Sequence, residues 1–276
     1  MKKNELLQIL DRLGLRPSRR LGQNFLLDPN LLAAMVRDLS PEAGEEILEI
    51  GPGTGILTEA LLAAGCRVTA VEFDHRLCQW LREHFRDHDR FRLIEDDACA
   101  VDYDREFGER PYRCIANLPY NLSSPWLIRM TRLRNRPAEM GLLVQKELAD
   151  RLTAEPRCKA YGALTLALGL FYRVERTRRV PPTVFHPVPE VESACLRLRS
   201  SQRAHALGAA RRELFLRLVR LGFSQRRKQL RKLLLPHFPD IGPTFADFCR
   251  ERNFPPGVRA EELNLEDFLR LAAMVG

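Results

Sequence analysis

Asn117-Leu118-Pro119-Tyr120 places an amide, a proline and an aromatic ring in four consecutive residues. Such a stretch suits neither a helix interior nor a central strand. Pro119 has no backbone donor, fixes its own φ and pushes Leu118 toward an extended conformation. The expected product is a rigid loop with carbonyl acceptors turned outward beside an aromatic ring. An exocyclic amino group on a flat base supplies the complement, with two N–H donors and a face to stack. The loop therefore points to chemistry on a base amine.

A second feature lies upstream. Glycines 51, 53 and 55 follow an apolar run and precede a helical pattern. Glycine lets the backbone approach a ligand closely and adopt positive φ. Glu72, about 20 residues on, ends the next strand-like run, where a carboxylate can accept from both hydroxyls of a ribose. The spacing is GxGxG rather than GxGxxG, which argues against a pyrophosphate contact. NAD and S-adenosylmethionine are the two cofactors in view. Asp97, after the third strand-like run, favours the second, because an Asp there can accept an adenine amino group.

The elements that must position these residues alternate. Runs at 46–50, 67–73, 91–94, 112–116 and 140–144 read as strands, with helical patterns between them. Asp74 is the expected N-cap of a helix running to about residue 86. Two more strand-like runs, 171–176 and 191–198, flank a proline-rich stretch. This alternation predicts an α/β fold with a doubly wound, mostly parallel sheet. Small polar residues at 200–208 read as a linker, and only helical patterns follow, at 211–235, 243–250 and 260–275. The expected division is 1–203 for the cofactor-binding catalytic domain and 204–276 for a small all-helical domain.

Charge separates the two parts. Residues 197–232 carry twelve Lys and Arg against the single acid Glu213, whereas residues 41–110 carry 17 acids against eight arginines. A one-signed basic run interleaved with Leu214, Phe215, Leu218 and Leu221 at helical spacing points to a polyanion partner, a nucleic acid. The seven cysteines are scattered singly without metal-ligand spacing, which argues for reduced thiols and against a disulfide framework or a metal site. His84 and His88 lie four apart, but no third ligand accompanies them. The longest apolar run, near 161–172, is too short to cross a bilayer. The expected compartment is the cytoplasm, with no membrane partner.

Further motifs occur in order along the chain. They are Leu21-Gly22-Gln23-Asn24-Phe25-Leu26, Glu49-Ile50-Gly51-Pro52-Gly53-Thr54-Gly55, Asp97-Ala98, Asn117-Leu118-Pro119-Tyr120-Asn121 and Gln145-Lys146-Glu147. Lys159-Ala160-Tyr161-Gly162, a Pro-Pro-x-x-Phe-x-Pro-x-Pro stretch from Pro181 to Pro189, and Ser224-Gln225-Arg226-Arg227-Lys228 complete the set. The chain resembles the ribosomal RNA adenine dimethyltransferase family over nearly its whole length, and most of all its bacterial small-subunit (16S) members.

The resemblance implies a seven-stranded Rossmann-like methyltransferase sheet followed by a small helical RNA-binding domain. It implies S-adenosyl-L-methionine as cofactor, held by Asn24, Leu26, Gly51, Glu72, Asp97 and Asn117. It implies N6-dimethylation of two adjacent adenosines near the 3′ end of 16S rRNA, within the immature small ribosomal subunit, by a monomeric enzyme that uses no metal. Asn117 and the Leu118 carbonyl would accept from the target amine, and Tyr120 and Phe185 would cover the two faces of the base. Large-subunit (23S) methylation and a non-enzymatic RNA-binding role are the other readings. The basic stretch 224–232 and the Pro-Pro-x-x-Phe loop favour the 16S enzyme over the first, and the intact Gly51, Glu72, Asp97 and Asn117 set disfavours the second.

Overall fold

The computed structural model describes residues 3–18 and 22–276, apart from the side chain of His205. Arg16, Arg19 and Arg20 are the alternative basic residues for RNA contact should the run at 224–232 serve only as solvated surface; of these, Arg19 and Arg20, together with Leu21, which opens the first motif, lie outside the described residues. The chain divides into two compact units, one of residues 1–149 and 174–200 and one of residues 150–173 and 201–276. The expected boundary at 203/204 falls close to the third and last crossing, at 200/201. Residues 150–173 depart from expectation, since they belong to the helical unit. The reason is their apolar face. Leu164, Leu168 and Phe171 are buried, and their helix packs on helices from the far end of the chain.

The first unit runs α1 (Lys3–Arg12), β1 (Phe25–Leu26), α2 (Pro29–Leu39), β2 (Glu46–Ile50), α3 (Ile56–Ala63), β3 (Arg67–Glu72), α4 (His75–His84), β4 (Phe91–Glu95), α5 (Tyr103–Phe107), β5 (Arg113–Asn117), α6 (Ser123–Met130), β6 (Glu139–Gln145) and α7 (Lys146–Leu152). After the excursion into the second unit it resumes with β7 (Tyr172–Val180), β8 (Phe185–His186) and β9 (Ser193–Ser200). The large sheet has seven strands in the order β4-β3-β2-β5-β6-β9-β7. The strands from β2 to β6 are parallel, and β9 runs antiparallel to β6. The sequence-based expectation of a doubly wound, mostly parallel seven-stranded sheet is met.

The central strands are apolar because helices cover both faces of a parallel sheet. Ile47, Val68, Ile115 and Leu143 meet Leu57, Leu61 and Leu81 in one core cluster. Asp28 caps α2 by accepting from the Asn30 and Leu31 amides. Asp74 caps α4, as its position predicted, by accepting from Arg76 N at 3.0 Å. A separate two-stranded ribbon pairs β1 with β8, setting Phe25 opposite His186 and Leu26 opposite Phe185.

The second unit contains α8 (Ala163–Phe171), α9 (Arg203–Ala206), α10 (Ala209–Gly222), α11 (Leu230–Leu234), α12 (Ile241–Glu251) and α13 (Leu265–Val275). Phe215, Phe245, Phe248 and Phe268 are buried among them. The basic run does not form the single helix expected over 211–235. The helix stops at Gly222, and a turn carries residues 223–229 before α11 begins. Gly222 explains the break, because a Cβ there would stand 3.0 Å from Leu230 and 3.1 Å from Ala260. The chain folds back on itself at that close approach. Arg227 therefore does not share a continuous helical face with Arg231, nor Lys228 with Lys232.

Candidate cofactor pocket and catalytic loop

A cavity of about 240 Å³ opens at the carboxyl ends of β2, β3, β4 and β5. Open α/β sheets present their ligand crevice at this edge. Five chain segments line it: residues 22–26, 49–54, 71–74, 96–98 and 117–122. Sequence positions nearly 100 apart thus converge on one space, and all the predicted site residues except Phe185 lie in its wall.

The glycine turn shapes one side. Gly51 has φ +63° and a Cβ on it would meet Pro119 at 3.1 Å, so the turn and the Asn117–Tyr120 loop approach closely only with glycine there. Gly53 has φ +60°, and a Cβ on it would meet the ring of Phe25 at 3.2 Å. The Trp80 indole donates to the Thr54 carbonyl at 3.1 Å and ties the turn to α4. That contact and a stack on His84 account for Trp80, while Trp126 is wholly buried.

Glu72 ends β3 at 8% exposure. Its Oε1 accepts from Phe73 N and Asp74 N, each at 2.9 Å, and its Oε2 accepts from Gly53 N at 3.3 Å. Burial pushes its carboxyl up, and these three backbone donors oppose the rise. The backbone thus orients the carboxylate and leaves Oε2, with its one long contact, able to accept from a ligand. Asp97 follows β4. Its Oδ1 accepts from Cys99 N at 2.8 Å, which holds the carboxylate at the exposed rim.

Asn117 ends β5, and its Nδ2 donates to the Asn24 carbonyl at 3.0 Å. Its amide nitrogen is thereby engaged and its Oδ1 remains as an acceptor. Leu118 N donates to Leu143 O at 3.0 Å. The Pro119 carbonyl is taken up by Leu122 N, Ser123 N and Ser123 Oγ at the start of α6. Tyr120 lies in the wall, with its hydroxyl 2.9 Å from Ser193 Oγ.

Residues 15–274 match the model of the family described as ribosomal RNA adenine dimethylase. The chain belongs to that family. It is 41% identical to ribosomal RNA small subunit methyltransferase A of Synechococcus sp., over 94% of this chain and 93% of that protein. The corresponding protein of Magnetococcus marinus is 38% identical, over 96% of this chain and 94% of the relative. Among solved structures, a dimethyladenosine transferase from Plasmodium falciparum shares the fold with a TM-score of 0.73 and 24% identity, over 90% of this chain and 95% of the other. This family member is thus an rRNA methyltransferase built on a Rossmann-like sheet.

One expected residue is misplaced. Phe185 is 1% exposed and packs in the sheet core with Leu26, Met35 and Leu39. It pairs with Leu26 in the β1–β8 ribbon and packs behind Leu26 and Met35, which line the cavity, without itself being a lining residue.

Four residues at or beside the cavity were given no role of their own by the sequence reading. Phe73, 63% exposed beside Glu72, presents a ring to the cavity. Gln23 donates to Asp74 Oδ2 at 3.3 Å and joins segment 22–26 to the cap of α4. Ser193 is the partner of Tyr120. Glu49, 1% exposed in β2, also lines the cavity and accepts from Thr58 Oγ1 at 2.6 Å. Burial raises its carboxyl to about 8 despite that hydrogen bond, and Glu72 adds to the rise. An acid between the apolar residues Leu48 and Ile50 of a central strand was the available signal. With Glu72, Asp74, Asp96 and Asp97 it makes five acidic residues in the wall, where no Lys, Arg or His stands among the described lining residues. Such a wall favours a cationic occupant. Among the described residues no group of metal-ligating side chains is found.

Proposed function

We propose that this protein uses S-adenosyl-L-methionine to dimethylate the N6 amino groups of two adjacent adenosines near the 3′ end of 16S rRNA, in the immature small ribosomal subunit. The carrying observation is Asn117, placed in the wall of a carboxylate-lined cavity with its Nδ2 committed to Asn24 and its Oδ1 left to accept. The small-subunit assignment draws on the names of the two relatives.

The residues fit this cofactor. Glu72 would hold the ribose hydroxyls, Asp97 the adenine amine, and Gly51, Asn24 and Leu26 the methionine end. When bound, the cofactor would supply an electrophilic sulfonium methyl group, the new C–N bond to the adenine amine replacing the S–C bond to the departing thioether and one amine proton passing to solvent. The protein's part is geometric. Asn117 Oδ1 and the Leu118 carbonyl would accept from the amine, draw it from planarity and aim its lone pair. They would also stabilise the positive charge that develops on nitrogen, so no strong general base is required. Tyr120 would pack on the base, which must leave its stack to enter.

The helical unit is the proposed RNA-binding element. Arg227, Lys228, Arg231 and Lys232 are exposed on it, suited to phosphate contacts. The enzyme is read as a cytoplasmic monomer; among the described residues no helix is long and apolar enough to cross a membrane. The test offers purified protein and labelled S-adenosylmethionine either immature small subunits or free large-subunit RNA, then maps the modified base. Label on adjacent adenines of the small subunit supports the proposal. Label confined to large-subunit RNA overturns it.

A further inference from the structure

The aromatic rings in the cavity wall differ in their surroundings. Phe25 lies against Gly53, and Phe73 adjoins Glu72, whereas Tyr120 stands in the Asn117 loop. With Phe185 in the core, Tyr120 is the ring placed to meet a base held at Asn117. What fixes that ring is therefore of consequence.

We propose that Ser193 is a positioning residue for methyl transfer, its hydroxyl locking the Tyr120 ring in the orientation that receives the target base. This rests on the function proposed above. Ser193 is itself held firmly. It is the first residue of β9, it pairs with Gln145 in the antiparallel β6–β9 ladder, and it is 1% exposed. The preceding residue is pinned too, since Glu192 O accepts from Lys146 N at 2.9 Å. The Ser193 hydroxyl is thus a fixed point on the sheet, 2.9 Å from the Tyr120 hydroxyl.

At the other end, Tyr120 is crowded by the backbone of segment 22–26. A Cβ on Gly22 would stand 2.8 Å from Tyr120 N. The backbone is held at one end of the side chain and the hydroxyl at the other. A tyrosine side chain has two rotatable bonds, and the hydroxyl contact removes the freedom that remains. A buried serine hydroxyl needs a partner in any case. Satisfying it through a ring in the cavity wall, rather than through a nearby carbonyl, makes the serine part of the site. The strand that carries it is the antiparallel intruder of an otherwise parallel set, and its direction brings its first residue to the edge where the cavity opens.

The test is a double-mutant cycle on steady-state methylation of small ribosomal subunits lacking the modification, with labelled S-adenosylmethionine. Ser193→Ala and Tyr120→Phe each remove the same hydrogen bond from opposite sides. Each is expected to lower kcat by about three- to tenfold, the range for one hydrogen bond, with the KM for S-adenosylmethionine unchanged. The double variant is expected to fall no further than either single one. Ser193→Thr, which keeps a hydroxyl, should recover most of the rate. Independent losses that multiply in the double variant, or a Ser193→Ala enzyme with wild-type kcat, would overturn the role of Ser193. Wild-type protein that methylates no adenine would instead sink the functional reading beneath it. Because Tyr120→Phe breaks the hydrogen bond without touching β9, the cycle remains readable even if Ser193→Ala lowers the melting temperature.

Discussion

The side-chain amide of Asn117 donates to the main-chain carbonyl of Asn24 at 3.0 Å, across 93 residues of sequence. The bond joins the end of a central strand to segment 22–26, which also lines the cavity, and it commits the amide nitrogen. An amide whose nitrogen is engaged offers oxygen to a donor. That is the polarity an amine nucleophile needs.

Replacing Asn117 by Ala should therefore separate chemistry from binding. Removal of a donor or acceptor that acts on the reacting centre costs about 10²–10³ in rate. Single-turnover methyl transfer is expected to fall by that order, while affinity for the small subunit stays near wild type. Parallel losses in both measurements would make Asn117 a structural residue.

Glu72→Ala should weaken the cofactor. The hydrogen bonds to a charged carboxylate are worth about 1.5–3 kcal/mol, or roughly ten- to 150-fold in affinity. Titration calorimetry with S-adenosylmethionine reads this directly. An unchanged affinity would remove the ribose contact from the account.

Glu49 gives a pH dependence whose sign follows from its burial. Its folded-state value is raised to about 8 from an ordinary 4.5, so the folded protein holds a proton that the unfolded chain releases. Stability from this group is complete below about 4.5 and is lost as pH rises toward 8. Glu49→Gln, neutral throughout, should gain melting temperature relative to wild type between pH 5 and 8. Melting curves of the two proteins that stay parallel over this range would contradict it.

The basic turn predicts two different phenotypes from neighbouring residues. Arg226 donates to the Cys158 and Lys159 carbonyls and pairs with Glu261 at 2.6 Å, all within the helical unit. Arg226→Ala should cost stability, about 1–2 kcal/mol on chemical denaturation. Arg227, Lys228 and Arg231 are exposed. Changing these three to Gln should leave stability alone and flatten the dependence of log affinity on log salt by up to about 0.7–0.9 for each phosphate that is no longer neutralised. A salt slope equal to wild type would return the triad to plain solvated surface.

The parts legible in the sequence were those set by short-range rules. The glycines between β2 and α3, the acid ending β3 and the cap of α4 each follow from one local requirement, and each stands where its neighbours dictated. What stayed hidden depends on distant packing. Leu230, Leu233 and Leu234 are buried like Phe215 and Leu218, so the apolar rhythm runs through the turn after Gly222 and mimics one long helix. Phe185 looked available because a proline-rich loop carries it, yet its pairing with Leu26 spans most of the first unit. Composition marked the crossing near Ser200 but not the earlier ones at 149/150 and 173/174, which fall at or inside regular elements, α7 and β7, rather than in a linker of small residues. The family likeness carried the assignment of roles that spacing alone left open.

The sign of the cavity wall bears on what happens after each reaction. A sulfonium cofactor enters with one net positive charge, and its thioether product has none. Walls carrying the carboxylates of Glu72, Asp74, Asp96 and Asp97, with no basic side chain among the described lining residues, would grip the first more strongly than the second. On the proposed function the spent molecule would loosen at the moment it is made, and the four exchanges that two fully methylated adenines require would all run in the same direction.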